Sequence, residues 1–233
     1  MRKGQEQEQN YQEYKRLGQR LGIPVIEAWL ELEVTDKNGK VVHRHRQRSH
    51  SWTRNLYNVL FCQTAQGSSG TLYEAGSTAC KETGTALKTG IIVGKIPQAA
   101  FYGYYANVGV ATIGIVVGSG VAAESFEDYA LQTPITHGTG SGQLTFVASE
   151  PQSISYASLT LTNTLVRYMN NNSGASIDVN EVALYSYSGY FTSAGGQIGY
   201  FLCMARDKLA STVAVPDTGQ LKVTYTISLV YPG

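Results

Sequence analysis

At 233 residues, 42% of them hydrophobic and 15% charged, the chain is long enough and apolar enough to bury a substantial core, which excludes bulk disorder. A formal net charge of +1 excludes the general basic excess of a protein that coats nucleic acid. Residues 1–60 carry 11 Lys/Arg against 7 Asp/Glu, and the remainder carries 7 against 10, so a mildly basic front precedes a mildly acidic body.

The N-terminal stretch is polar and lacks the apolar core of a secretory signal. On a helix, Tyr11, Tyr14, Leu17 and Leu21 form one apolar stripe in an otherwise charged and Gln-rich segment, which Gly18 weakens. A helix this short is marginal in water, so it must dock on something. Residues 1–22 are read as an arm that makes an intersubunit contact, and residues 23–233 as the domain. From Ile23 the period changes. Ile26, Ala28, Leu30, Leu32 and Val34 alternate with Glu27, Trp29, Glu31, Glu33 and Thr35, which predicts a strand with one buried face. Asp36-Lys37-Asn38-Gly39 supplies a turn, and Lys40 to Arg48 returns as the partner strand.

That return strand carries His43, Arg44, His45, Arg46 and Arg48. The two histidines share one face and the arginines the other. With no carboxylate or Cys nearby to complete a ligand set, the strand is expected to be a solvated or intersubunit edge able to contact an acidic partner, not a metal centre. Ser51 is expected to cap a helix bearing Trp52, Leu56, Val59 and Leu60 on one side. Residues 64–111 read as an extended Gly/Ser/Thr-rich loop region with short strands. Strands are then expected at Thr112–Val117, Gln143–Ala148, Ser158–Met169, Ile177–Tyr185, Ile198–Ala205 and Gln220–Tyr231. In the last, Leu221, Val223, Tyr225, Ile227, Leu229 and Tyr231 alternate with polar residues. With 25 Gly for turns and 16 Tyr for half-buried pleats, this predicts an all-β antiparallel sandwich of jelly-roll type, with an N-terminal arm and one short helix. The long uncharged stretch from Ile96 to Ala123 is broken by Pro97 and several Gly, and reads as strands and turns rather than a membrane span.

The chain offers little chemistry. Gly118-Ser119-Gly120-Val121-Ala122-Ala123 matches a dinucleotide loop formally, but no acidic residue follows at the required distance and the next elements read as strands. Glu124, Glu127 and Asp128, and separately Asp178 and Glu181, are expected in surface loops. Arg206-Asp207 is expected to pair internally at the end of a strand. Cys62, Cys80 and Cys203 lack metal or redox spacing and read as buried apolar residues of a protein made in a reducing cytoplasm. No catalytic residue, cofactor or metal is assigned.

Ile115-Val116-Val117-Gly118-Ser119-Gly120, Glu127-Asp128-Tyr129-Ala130-Leu131, Asn171-Asn172-Ser173-Gly174, Ile177 to Tyr185, Met204-Ala205-Arg206-Asp207 and Leu221-Lys222-Val223-Thr224-Tyr225 resemble a pattern common in structural proteins of tailed bacteriophages. The resemblance spans residues 112–231. It implies a non-enzymatic virion component of head, neck, tail or fibre that contacts copies of itself and other virion proteins. A receptor- or glycan-binding fibre component is the alternative, favoured if Tyr102, Tyr104 and Tyr105, or Tyr185, Tyr187 and Tyr190, line a groove for a host-surface glycan. A carbohydrate-active enzyme would instead require two carboxylates facing each other across a cleft.

Overall fold

The computed structural model describes residues 3–62, 80–85, 87–88, 103–191 and 197–233. In chain order the elements are α1 (Lys3–Leu21), β1 (Val25–Thr35), β2 (Val41–Arg48), α2 (Arg54–Cys62), β3 (Cys80–Lys81), β4 (Leu87–Lys88), β5 (Gly114–Gly118), β6 (Thr145–Phe146), β7 (Ser153–Ala157), β8 (Thr160–Asn170), β9 (Ile177–Phe191), β10 (Gln197–Val215) and β11 (Gln220–Val230).

The alternation in β1 and β11 does what it predicts. The two strands pair antiparallel without a shift, from Val25 opposite Val230 to Thr35 opposite Gln220, and bury Leu30, Leu32, Leu221, Val223 and Tyr225 on one side. Among the described residues they lie at the centre of a six-stranded sheet of order β2-β1-β11-β8-β6, with β7 also paired to β8. A three-stranded sheet, β10-β9-β5, covers the apolar face, and both sheets feed one core that includes Leu30, Val117, Phe146, Leu184, Val213 and Tyr225. The architecture is therefore an all-β sandwich of antiparallel sheets. Each fully buried Leu or Val contributes roughly 1.5–3 kcal/mol relative to exposure, so this shared face dominates stability. The first hairpin closes as expected: Asp36 Oδ1 accepts the amides of Asn38 and Lys40, and Gly39 takes a positive φ.

Several boundaries differ from the sequence reading, each for a local reason. Helix α2 begins at Arg54, not after Ser51, because the preceding residues run as an extra edge beside β10. Trp52 bridges Ala205, Thr53 N donates to Met204 O, and Arg206 N donates to Ser51 O. Trp52 thus packs edge-on to Tyr225 rather than on the helix, and Leu60 is exposed. The strand expected from Ser158 is a hairpin, β7 and β8, turned at Ser158 and Leu159. Both take positive φ, the geometry of a tight I′-type turn that Asn-Gly would normally announce. Strand β10 runs past Ala205 to Val215 because Arg206 and Asp207 within it are buried and partnered, and β9 runs past Tyr185 to Phe191 through uncharged residues that pair with the start of β10. Of the expected loop region 64–111, only 80–85, 87–88 and 103–111 fall among the described residues.

Candidate functional site

Helix α1 lies on the outer face of the larger sheet, held at the start of β1 and the end of β2. Glu8, Tyr11, Lys15 and Gly18 recur along the face it turns to the sheet. The Tyr11 hydroxyl donates to Ile26 O at 2.6 Å, Lys15 Nζ lies 2.7 Å from Glu27 Oε1, and Arg48 binds Glu8 through Nε at 2.5 Å and Nη2 at 2.8 Å. The Arg48 guanidinium also sits 4.0 Å above the Tyr11 ring and 4.3 Å from that of Trp29. Its hydrogen bonds, joined by one from Gln12, bring the Glu8 carboxyl down to about 2, while burial raises the Tyr11 phenol. Gly18, expected to weaken the helix, permits the contact: a Cβ there would lie 2.3 Å from Val25 Cγ2.

Only Tyr11 of the expected stripe is spent on this docking. Tyr14, Leu17 and Leu21 remain 51%, 48% and 60% exposed, and Ile23 follows at 54%. The arm is attached to its own sheet by one face and carries an open apolar stripe on another. The β7–β8 hairpin lies at the same end of the sheet, since Val25 pairs Val230 and Val230 pairs Thr160. There Ile154, Tyr156 and Leu159 are exposed at 63%, 62% and 44%. Sequence reasoning missed this hairpin. The available signal was the Ile-Ser-Tyr alternation within an uncharged run from Pro151 to Val166.

The basic strand faces carboxylates of its own chain. Arg44 Nε lies 2.8 Å from Glu33, Arg46 Nε lies 2.7 Å from Glu31, and Arg48 is held by Glu8. The Arg44–Glu33 and Arg46–Glu31 pairs are exposed and stand directly across the β1–β2 register, each worth under about 1 kcal/mol, whereas the Arg48 side chain is largely buried. A depression of about 240 Å³ lies over them, lined by Glu31, Glu33, Arg44, His45, Arg46 and Lys222. His45 and Gln47 turn towards β10, where Gln47 Nε2 donates to Lys208 O. His43 and His45 share a face as expected. Among the described residues no three His, Cys, Asp or Glu side chains converge as a metal site.

The charged residues of β9 and β10 correct the expectation of surface acids. Glu181 is fully buried within β9, while Asp178 in the same strand is exposed. The Glu181 carboxylate accepts the amides of Gly120, Gln132 and Thr133 and pairs with Arg206 Nε at 2.7 Å. The glycine-rich 118–123 segment thus wraps a carboxylate rather than a pyrophosphate. Arg206 also binds Asp128 at 2.8 Å and the carbonyls of Ala122 and Ala123. Arg206 and Asp207 do not pair with each other: successive strand residues point to opposite sides. Asp207 is buried beneath the Ser49 and Tyr225 hydroxyls, and burial raises its carboxyl above the ordinary range. Glu127 pairs with Arg54 on the surface, and Glu124 accepts Lys208 N.

Comparison with family models, curated proteins and solved structures finds no match. The fold and the surfaces described above are therefore what bears on function. Of the tyrosines whose lining a groove would favour a glycan-binding component, Tyr185 is buried with its hydroxyl receiving Leu131 N, Tyr187 stacks near Phe201, and Tyr104 packs into the core. Tyr105 is exposed, Tyr102 lies outside the described residues, and the placement of the Tyr190 side chain lies outside them too. Among the described residues no helix is long and apolar enough to cross a membrane.

Proposed function

We propose that this chain is a structural subunit of a bacteriophage particle, acting on the head or tail through contacts with copies of itself and with other particle proteins. The observation that carries the reading is helix α1, which is fastened to the sheet by Glu8, Tyr11 and Lys15 yet presents Tyr14, Leu17 and Leu21 to solvent. A helix with one face engaged and a second, apolar face open is suited to joining subunits. The resemblance over residues 112–231 supplies the kind of assembly. The pairing of the first strand with the last favours the jelly-roll wiring expected within it.

Mass spectrometry of purified particles, with copy number counted against a known shell or tail protein, tests the reading. We expect the polypeptide in many copies, and a Leu17→Asp, Leu21→Asp variant to be incorporated several-fold less while melting as the unaltered protein does. Absence from purified particles would overturn the proposal, as would reproducible hydrolytic turnover abolished by changing Glu127 or Asp128.

A further inference from the structure

Sheets hide their edges, because an unpaired row of N–H and C=O groups recruits further strands. Here most edges are covered from within the chain. Residues 51–53 and 83 hydrogen-bond to β10, residues 133 and 135 run beside β5, and Gly109 N donates to Phe146 O of β6. Strand β2 is guarded by Arg44, Arg46 and Arg48, and by the Gln47 contacts to Lys208 and Ala210. Strand β7 has none of these devices. All five of its residues are exposed, its register with β8 is unbroken, and no backbone hydrogen bond from another described segment reaches its outer side.

We propose that β7 is a homodimerisation edge, pairing antiparallel with β7 of a second copy about a two-fold axis at Ser155. The proposal deepens the assembly reading by naming a partner and a contact, and rests on that reading only for its biological use. Three features favour a second copy over another occupant. First, Ser153-Ile154-Ser155-Tyr156-Ala157 is self-complementary: pairing about Ser155 sets each Ile154 opposite Tyr156 of the second copy, an aromatic against a β-branched residue, and small residues opposite small ones. Second, residues 151–166 carry no charge, so two copies meet without like-charge repulsion. Third, the far edge is charged and engaged, which disfavours an open-ended β2-to-β7 stack and leaves the closed two-fold pair.

The side chains are prearranged for this. Ile154 and Tyr156 lie on the face of the sheet that elsewhere forms the core, beside Asn163 and Leu161 of β8. Tyr156 is set edge-on to Tyr231, with ring centroids 6.3 Å apart. On the same face the Asn163 side-chain oxygen is buried and meets no hydrogen-bond donor among the described residues. Ile154, Tyr156 and Leu159 expose on the order of 300 Å² of side chain per copy by area bookkeeping. That is small for a stable interface, so the dimer is weak and concentration-dependent, and gains strength where many copies are held together.

Sedimentation equilibrium of the full chain from about 1 to about 200 µM tests it, a range suited to a small interface. We expect a reversible monomer–dimer equilibrium that Ile154→Lys weakens at least tenfold without altering the melting temperature, since Ile154 is 63% exposed. Oxidation of Ser155→Cys should yield a disulfide-linked dimer, because directly opposed antiparallel residues lie within disulfide reach. Thr139→Cys, on an exposed loop, and the unaltered chain should not. A monomer at the highest concentration, a dimer indifferent to Ile154→Lys, or a dimer that Ser155→Cys does not trap would each overturn β7 pairing. A chain that stays monomeric yet is found in purified particles would sink the edge and spare the virion reading; a trapped dimer absent from particles would do the reverse.

Discussion

At the scale of single residues, Arg167 and Asp207 show how burial acts on opposite charges. Arg167, on the inner face of β8, is fully buried, with no carboxylate beside it among the described residues. Its guanidinium donates instead to the carbonyls of Asn107, Val110, Ile113, Ile115 and Val147, gathering an irregular segment onto the sheet. Burial lowers its pKa to about 10, still well above neutrality. Asp207 has the opposite problem: Ser49 and Tyr225 donate to it, but burial outweighs them and raises its pKa from 3.8. A carboxyl whose folded pKa is raised contributes stability that is fully present below its unfolded value and lost as pH rises through the folded one. Thermal melts of the unaltered protein and Asp207→Asn between about pH 3 and pH 8 should therefore show the unaltered protein losing ground to the variant above about pH 4. A difference that stays flat or runs the other way would mean that Asp207 titrates normally.

Among the elements, β11 is central to the larger sheet and shows how much a pleat decides. Leu221 stands between Val34 of β1 and Met169 of β8 with no exposed surface, whereas Thr226 stands opposite Trp29 on the outer face. Leu221→Asp would bury a carboxylate among apolar side chains, at a cost of about 4 kcal/mol or more, and should abolish soluble expression or lower the melting temperature drastically. Thr226→Asp should stay within about 1 kcal/mol of the parent. Comparable losses from both would put the strand in the wrong phase. Helix α1 depends on its sheet in the same way, since Val25 leaves room only for a glycine at position 18.

For the whole molecule, the two sheets share one core, so neither has an apolar face of its own to fall back on. Unfolding should accordingly be a single cooperative event. Trp29 reports the outer face of the larger sheet and Trp52 the seam beside β10, so their combined fluorescence and the far-ultraviolet circular dichroism should give superimposable melting curves. Two separated transitions would show that the sheets are stabilised independently. The surfaces proposed for assembly lie outside that core, on α1 and on the β7–β8 hairpin, where substitutions should change association and leave folding alone.

The sequence by itself determined the elements whose burial is periodic: the β1–β2 hairpin, β11 and the amphipathic α1 follow from alternation, a turn signal and a 3.6-residue stripe. Those patterns also carried the all-β architecture, because period-2 burial leaves a sheet face that only another layer can cover. Tertiary structure decided what the charges do. Glu181, Arg206 and Asp207 look like surface residues in sequence, and the strand runs through them because partners from loops 49–50 and 120–133, and Tyr225 of β11, arrive from far along the chain. It also decided which apolar residues stay outside. Tyr11 and Leu17 share the apolar stripe but stand roughly 120° apart around the helix, so one meets the carbonyl of Ile26 and the other meets solvent, and Ile154 alternates like any core residue but stands where the smaller sheet no longer reaches. Periodicity specifies that a face will be buried; whether a covering layer extends over it is settled only by how the sheets are placed.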